Sequence, residues 1–449
     1  GLFTLKFGGL MSFKKLLCLG CAVIFAGCNN NPVSDNGNNN KNVDAPFAVI
    51  KSDFVSRSVI AENDPRISSQ AGSINLFSVK MYSELLKVVK EDENLFFSPY
   101  SITAALGMTS AGANGRTDLQ IRNALQVNLE GEDFHAGING LAQSLQSHSQ
   151  ATESLELNIV NSIWSQKDLM LQVNFLDILS RHYDAGVNLL DFARQPDSSR
   201  IIINEWVSEQ THDRINDLLP KGAITVDTRL VLTNAIYFLA DWLIKFPDTL
   251  TDNQTFIRLD GSQVTVPMMN LRSDPVKLLY YNSDNCRILE LPYKGNRLAM
   301  DLILPNSGTY NNFEQNMSAE VISGLVDRLD SVGLVTVRIP RFEFTTESIS
   351  LKEAFINLGM EEPFGTSADF SGISNVCLHI SDIFHKAFIK VDEKGTEAAA
   401  ATAVVLAEVS TPTPPPQQFV ADRPFIFFIR DTMTGAILFM GRILDPLAK

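Results

Sequence analysis

The chain is poor in cysteine, and its five cysteines are unevenly placed. Cys18, Cys21 and Cys28 lie within an apolar N-terminal segment of the export type, which leaves Cys286 and Cys377 in the remaining sequence. Two cysteines can form at most one disulfide, and the sequence leaves open whether these two pair. A disulfide-stapled framework is therefore excluded as the source of stability.

Positive charge is also scarce. The 449 residues carry 37 Lys and Arg against 51 Asp and Glu, a formal net charge of −14. Such a surface repels phosphate backbones and anionic lipid, so nucleic acid is excluded as an expected partner. Residues 133–150 contain no Lys or Arg at all. We therefore expect no heparin-type site there.

Signature motifs of enzymes are missing as well. The sequence contains no GxSxG, HExxH, Walker-type or GxGxxG pattern. These spacings are the ones that place a nucleophile, a zinc ion or a nucleotide phosphate. We therefore predict neither an enzyme, nor a cofactor, nor a metal site.

The N-terminus is typical of an export signal. Lys14 and Lys15 precede an apolar run, residues 16–26, which is shorter than the roughly 20 residues that span a bilayer. Small residues before Cys28 resemble a bacterial lipobox, although Phe25 stands where leucine is usual. The resemblance implies lipidation of Cys28 and anchoring to the cell envelope by the lipid alone. Ordinary signal-peptidase cleavage with secretion is the alternative.

Composition divides the chain into three parts. Residues 1–28 are interpreted as targeting sequence and not as part of the fold. Residues 29–72 are rich in Asn, Asp, Ser and Gly and lack an apolar period, so we expect a flexible tether. Residues 73–449 form the predicted folded body, in which the proline-rich residues 410–416 are the one exception to the lack of a Pro/Gly/Ser-type linker.

Apolar spacing in this body is mixed, which predicts an α+β fold without βαβ regularity. Ile74, Phe77 and Met81 begin a helical pattern that marks a first helix from about Ser73. Residues 230–239 are nearly all apolar, as expected of a strand covered on both faces.

Two further strand patterns follow. Residues 335–344 alternate but change phase at Pro340, which predicts one long strand with a bulge or bend. Residues 425–429 and 436–443 flank a turn-forming segment and predict a C-terminal hairpin.

The segment between these strands has an unusual composition. From Thr396 to Ala407 it is built of Ala, Thr and Val apart from Glu397 and Leu406, with small residues leading and larger apolar ones trailing. Alternate side chains of a strand face opposite sides, so such a segment can slide between two existing strands. Gly395 permits a turn where insertion begins, and the proline-rich residues 410–416 must be extended and exposed.

These features together resemble the serpin family of protease inhibitors. VDEKGTEAAAATA, which begins at Val391, resembles the hinge of a serpin reactive-centre loop. Other segments resemble family signatures in the family's order over residues 73–445: FFSPYSI at Phe96, INEWVSEQTHDRI at Ile203, LTNAIYFLADW at Leu232, IPRFEF at Ile339, FHKAFIKVDE at Phe384 and RPFIFFIRDTMTGAILFMGRI at Arg423.

The resemblance implies a serpin fold with three β-sheets, eight or nine helices and an exposed reactive-centre loop at about residues 393–423. It implies a monomeric suicide inhibitor whose loop, once cut by a serine protease, enters the central sheet while an acyl bond holds the protease. A non-inhibitory binding protein or chaperone, and an inhibitor of cysteine proteases, are the alternatives. The implied loop hinge comprises Glu393, Gly395, Thr396, Glu397, Ala398, Ala399, Ala400 and Ala401.

The resemblance also implies two groups of residues that control opening of the sheet. One is a hydrogen-bonded cluster beneath the sheet, the shutter, formed by Ser98, Ser101, Asn234 and His385. The other is the breach, where the loop first enters the sheet, formed by Trp242, Arg341 and Glu393. Their roles are conformational and not catalytic.

The spacing that inhibitory serpins keep after the hinge glutamate implies cleavage at Val409–Ser410. No Lys or Arg occurs between Lys394 and Arg423, which disfavours a trypsin-like target. Valine suits the small apolar pocket of an elastase-like protease. The segment after Ser410 is a few residues longer than usual, so cleavage at Leu406, Ala407 or Thr411 remains an alternative.

Overall fold

The computed structural model describes residues 17–27, 47–52, 54–272, 278–331, 335–396 and 417–449. Twenty strands lie in these ranges, numbered in chain order. They are β1 Leu17–Gly27, β2 Ala48–Ile50, β3 Leu95–Phe97, β4 Leu155–Gln166, β5 Val187–Leu190, β6 Thr228–Asp241, β7 Asp252–Ile257, β8 Gln263–Arg272, β9 Leu279–Asn282, β10 Cys286–Pro292, β11 Leu298–Pro305, β12 Asp330–Ser331, β13 Val335–Pro340, β14 Phe342–Thr345, β15 Ile349–Ser350, β16 Leu378–Val391, β17 Gly395–Thr396, β18 Gln417–Val420, β19 Phe425–Asp431 and β20 Ile437–Ile443.

The same ranges contain nine α-helices, which agrees with the expected eight or nine. They are α1 Pro65–Leu85, α2 Pro99–Ser110, α3 Gly115–Ala124, α4 Glu132–Ala151, α5 Val173–Tyr183, α6 Pro196–Gln210, α7 Tyr310–Gln315, α8 Ala319–Val326 and α9 Lys352–Asn357. Helix α2 is buried along its whole length and packs against both β1 and β6. No helix among the described residues is both long and apolar enough to span a membrane.

The largest sheet, sheet A, runs through the middle of the molecule. Its strand order is β14-β16-β1-β6-β4-β5-β2, with β15 attached to β16 and β17 attached to β6. Strand β6 is covered on both faces, as its apolar run predicts, and β4 and β16 of the same sheet are of similar length. These long strands place the candidate site at the end of the sheet where β6 and β16 both terminate.

The segment predicted to be discarded targeting sequence contributes a strand to this sheet. Strand β1 lies between β6 and β16 and is antiparallel to both. The interpretation of residues 1–28 as outside the fold is therefore corrected for residues 17–27. The physical reason is that a continuous apolar run meets the requirements of a signal core and those of a buried strand equally well.

Two smaller sheets complete the architecture, so the described residues form the three expected sheets. Sheet B has the order β12-β9-β10-β11-β19-β20-β3 and includes the predicted C-terminal hairpin of β19 and β20. Sheet C has the order β18-β13-β8-β7. Strand β18 resumes the chain after the loop and pairs in parallel with β13.

The predicted long strand around Pro340 is two strands in different sheets. Strand β13 belongs to sheet C and ends at Pro340, whereas β14 begins at Phe342 and pairs with β16 in sheet A. Between them the Arg341 amide donates to the carbonyl of Pro267 at 2.9 Å. The proline and the phase change therefore mark a switch between sheets and not a bulge.

The folded body begins earlier than Ser73. Asp64 caps helix α1, which starts at Pro65 and includes the predicted apolar positions. Before the helix, Arg57 donates to the Asn139 side chain at 2.8 Å. The predicted tether of residues 29–72 is therefore too long at its C-terminal end, because polar side chains can dock a segment that lacks an apolar period.

Cys286 is a free, buried thiol, so the two cysteines of the body do not pair with each other. Burial raises the pKa of this thiol, although a hydrogen bond with Ser283 opposes that effect. The thiol therefore behaves as a small apolar side chain in this fold.

Candidate functional site

The predicted shutter residues lie together beneath sheet A. Ser98 is the N-cap of helix α2, and its hydroxyl accepts from the Ser101 amide at 3.0 Å. The same hydroxyl donates to the carbonyl of Leu438 at 2.7 Å, and the Ser98 amide donates to Nε2 of His385 at 3.2 Å. The helix cap is thereby joined to β20 of sheet B and to β16 of sheet A.

A second chain of hydrogen bonds joins the cap to β6. The Ser101 hydroxyl donates to Oδ1 of Asn234, whose amide donates in turn to Oδ1 of Asn161 on β4 at 2.8 Å. Ser98, Ser101 and Asn234 are fully buried, so each of these hydrogen bonds replaces one to water that is lost on burial.

The cluster spans the central position of sheet A. Asn234 and His385 belong to the two strands that flank β1, and both are opposite Cys21 in the register of that strand. Because one helix end binds polar groups on both flanking strands, the cluster fixes their separation. The predicted shutter is therefore a physical link across the central position of the sheet.

The breach residues lie at the end of β6 and β16. The Trp242 indole donates to the carbonyl of Asp392 at 3.0 Å, and its ring stacks on Tyr293 at 4.6 Å between centroids. The Trp242 amide also donates to the carbonyl of Lys394 at 2.9 Å. This buried tryptophan thus holds the turn that connects β16 to the hinge.

Glu393 anchors the same turn through an ion pair. Nε of Arg341 lies 2.7 Å from both carboxylate oxygens of Glu393, and the Thr251 hydroxyl donates to the same carboxylate. Burial raises the pKa of Glu393, but the hydrogen bonds from Arg341 and Thr251 outweigh burial and hold it below its ordinary value. The carboxylate is therefore charged at neutral pH and binds the turn to Arg341, between β13 and β14, and to Thr251, just before β7.

The position of Gly395 requires a residue without a Cβ atom, which only glycine provides. Its φ is +146°, and a Cβ built there would collide with the carbonyl oxygen of Ala240 and lie 2.7 Å from Cα of Asp241. This close approach lets Gly395 pair with Asp241 and Thr396 with Ala240. The first residues of the hinge have therefore joined sheet A beside β6.

The structure describes all seven predicted shutter and breach residues, in two separate clusters, and places Gly395 and the backbone of Thr396 beside the breach. The predicted hinge residues Glu397, Ala398, Ala399, Ala400 and Ala401, the scissile Val409 and Ser410, and the lipidation residue Cys28 lie outside the described residues. Among the residues that the structure does describe, no group of three or more His, Cys, Asp or Glu side chains could hold a metal ion.

Sequence reasoning missed Asn161, Thr251 and Tyr293, which contact Asn234, Glu393 and Trp242 respectively. Asn161 carried a weak signal, because a polar residue in an apolar strand pattern is costly to bury without a partner. Thr251 and Tyr293 carried none, since each reaches the site from a part of the chain distant in sequence.

We expect Glu393→Gln to lower the free energy of unfolding by about 1–3 kcal/mol at pH 7, because Arg341 loses its charged partner. A carboxyl with a lowered pKa stabilises the fold above its unfolded pKa, and this contribution is lost as pH falls through the folded pKa. The free energies of unfolding of wild type and variant, measured with denaturant, should therefore become equal at acidic pH. Glu343→Gln is the matched control, since the Glu343 carboxylate lies 3.9 Å from Nζ of Lys390 in a longer ion pair. Equal stabilities at pH 7 would contradict the anchoring role.

Comparison with known proteins agrees with this geometry. The family model described as "Serpin (serine protease inhibitor)" matches residues 72–446. An uncharacterized serpin-like protein of Methanosarcina mazei is 36% identical over 98% of this chain and 99% of its own length. Human Serpin B4 is 35% identical over 79% of this chain and 94% of its own.

Among solved structures, one described as "Cleaved Serpin 42Da" superposes with a TM-score of 0.73 at 28% identity, covering 85% of this chain and 99% of that one. The family match extends over the shutter, the breach and both sheets that carry them. The chain therefore belongs to the serpin family and, with it, to the serpin-type protease inhibitors.

Proposed function

We propose that this chain is a single-use inhibitor of elastase-like serine proteases and that it acts as a monomer by inserting its loop into sheet A. The observation that carries the proposal is the pairing of Gly395 and Thr396 with the end of β6. The hinge has already begun the antiparallel ladder that a longer inserted strand would continue.

The hinge composition supports insertion beyond Thr396. Residues 398–401 are all alanine, so they can pass between packed strands without displacing the side chains that cover the sheet. Bulky or charged residues at these positions would favour a non-inhibitory binding protein. The sequence has none there.

The reaction begins as ordinary proteolysis. The protease serine attacks the carbonyl carbon of Val409 and expels the amine of Ser410, which leaves an acyl-enzyme ester on Val409. Insertion of residues 396–407 as a strand moves that ester by about 40 Å, at about 3.3 Å per residue. The ester then persists because the protease has been pulled away and its catalytic geometry distorted before water can attack.

Target choice follows from the side chain at the cleavage site. Valine fills a shallow apolar pocket, whereas in a deep acidic pocket it would leave a buried carboxylate unpaired. Elastase-like serine proteases therefore suit the loop better than trypsin-like ones.

We further propose that the exported protein is anchored by a lipid on Cys28. Its support is the sequence pattern of a basic start, an apolar run and small residues before Cys28. An inhibitor held at the envelope would meet proteases that reach the cell from outside.

We expect the exported protein to form a denaturant-resistant complex with an elastase-like protease and little or none with trypsin. The released C-terminal fragment should begin at Ser410 by mass spectrometry, because cleavage after Val409 leaves the full insertable strand attached to the acyl bond. A dominant start at Ala407 or Thr413 would show that the scissile bond is misplaced, and cleavage without any stable complex would contradict inhibition.

Two variants at one position test insertion itself. Thr396→Arg should convert the inhibitor into a substrate, because an unpaired charge on the inserting strand cannot be buried. Thr396→Ser keeps the hydroxyl group, adds no charge or bulk, and should inhibit like wild type. Unchanged stoichiometry in the arginine variant would rule out loop insertion as the mechanism.

Cys28→Ser should abolish acyl labelling and membrane association. Inhibition should stay unchanged when residues 1–27 are absent from wild type and variant alike, since Cys28 lies outside the segment that inserts. Fractionation of cells with metabolic fatty-acid labelling measures both properties. A wild-type protein that is already in the soluble fraction and unlabelled would show that the protein is secreted without a lipid.

A further inference from the structure

Strand β1, residues 17–27, will be called the leader strand, and it occupies the central position of sheet A. It pairs with β6 from Leu17 opposite Phe238 to Ala26 opposite Thr228. On its other edge it pairs with β16 along nearly the same length. Both strands that flank this position therefore have their facing edges filled.

The backbone pairing of Gly395 and Thr396 with the end of β6 would, if it continued, extend along the edge of β6 that the leader strand occupies. Gly395 is opposite Asp241 and Thr396 is opposite Ala240. If this register continued, Ala398 would lie opposite Phe238, where the leader strand begins. One strand edge can pair with only one partner at a time, so the leader strand and the inserted loop exclude each other.

The two segments also match in sequence at equivalent positions. Residues 22–26 read AVIFA, and residues 403–407 read AVVLA. In the continued register residues 403–406 would lie opposite Thr233 to Leu230, which are the partners that residues 22–25 have in the structure. The leader strand thus presents the same order of small and apolar side chains that the loop would supply.

The side chains of the leader strand are buried in the cores on both faces of sheet A. Val23 and Phe25 lie in the core beneath helix α2, where the Phe25 ring contacts Phe370 edge-on at 4.9 Å. Ala22 and Ile24 lie in the core on the opposite face. All four are fully buried, so the leader strand is packed as an internal strand and not laid on a surface.

We propose that the leader strand is an intramolecular inhibitor of loop insertion: a chain that retains residues 17–27 in sheet A cannot trap a protease, and withdrawal of this segment arms it. The proposal rests on the insertion mechanism of the proposed function. It predicts that the unexported chain is inert toward proteases of the cell that makes it.

The first test needs no variant and no protease. In the full unexported chain, hydrogen exchange followed by mass spectrometry should show strong protection of residues 17–27, as for β6. The same measurement on the exported protein should show faster exchange along the facing edges of β6 and β16. Rapid exchange of residues 17–27 in the unexported chain would overturn the proposal.

The second test displaces the strand within the full unexported chain. Ile24→Lys places a charge in the core and should expel the leader strand, whereas Ile24→Val, the residue of the loop at the equivalent position, should retain it. We expect the lysine variant to form complexes with elastase faster than wild type by a factor of about ten or more. Equal rates in wild type and both variants would contradict autoinhibition.

A synthetic peptide of residues 396–407 separates this proposal from the proposed function. It should bind the lysine variant and raise its melting temperature, but should leave wild type and the valine variant unchanged. Peptide binding without any protease complex would support occupancy by the leader strand and refute the inhibitor mechanism. Equal peptide binding by all three chains would refute occupancy itself.

Discussion

The architecture of sheet A and the proposed inhibition both depend on the position between β6 and β16. These strands are parallel to each other, and each presents a long row of backbone donors and acceptors toward the other. Buried backbone N–H and C=O groups need hydrogen-bond partners. An extended segment with small or apolar side chains can supply these partners to both facing edges. The chain contains two such segments, the leader strand and the loop hinge.

The polar residues of the site bind the elements on both sides of that position. The cap of helix α2 binds Asn234 and His385 on the two flanking strands and so sets their spacing beneath the sheet. At the end of the sheet where β6 and β16 terminate, Arg341 and Trp242 bind the turn that precedes the hinge. In the proposed mechanism, the energy for inhibition comes from backbone pairing that cleavage of the loop makes available.

Much of this could be predicted from sequence, because the decisive patterns are local. The apolar run of β6 and the series of signatures predicted the fold, and the contacts of the seven shutter and breach residues follow the two groups that the resemblance implied. Three features could not be predicted. The switch of sheets at Pro340 and the contacts of Thr251 depend on distant partners, and an apolar run such as residues 17–27 fits a signal core and a buried strand equally.

The most direct measurement compares thermal unfolding of the exported protein before and after a single cut in the loop. The account predicts a sharply higher melting temperature for the cut protein, because residues 396–407 then fill the central position and add a ladder of hydrogen bonds to sheet A. Equal melting temperatures would contradict it, since the loop would then have no place in the sheet.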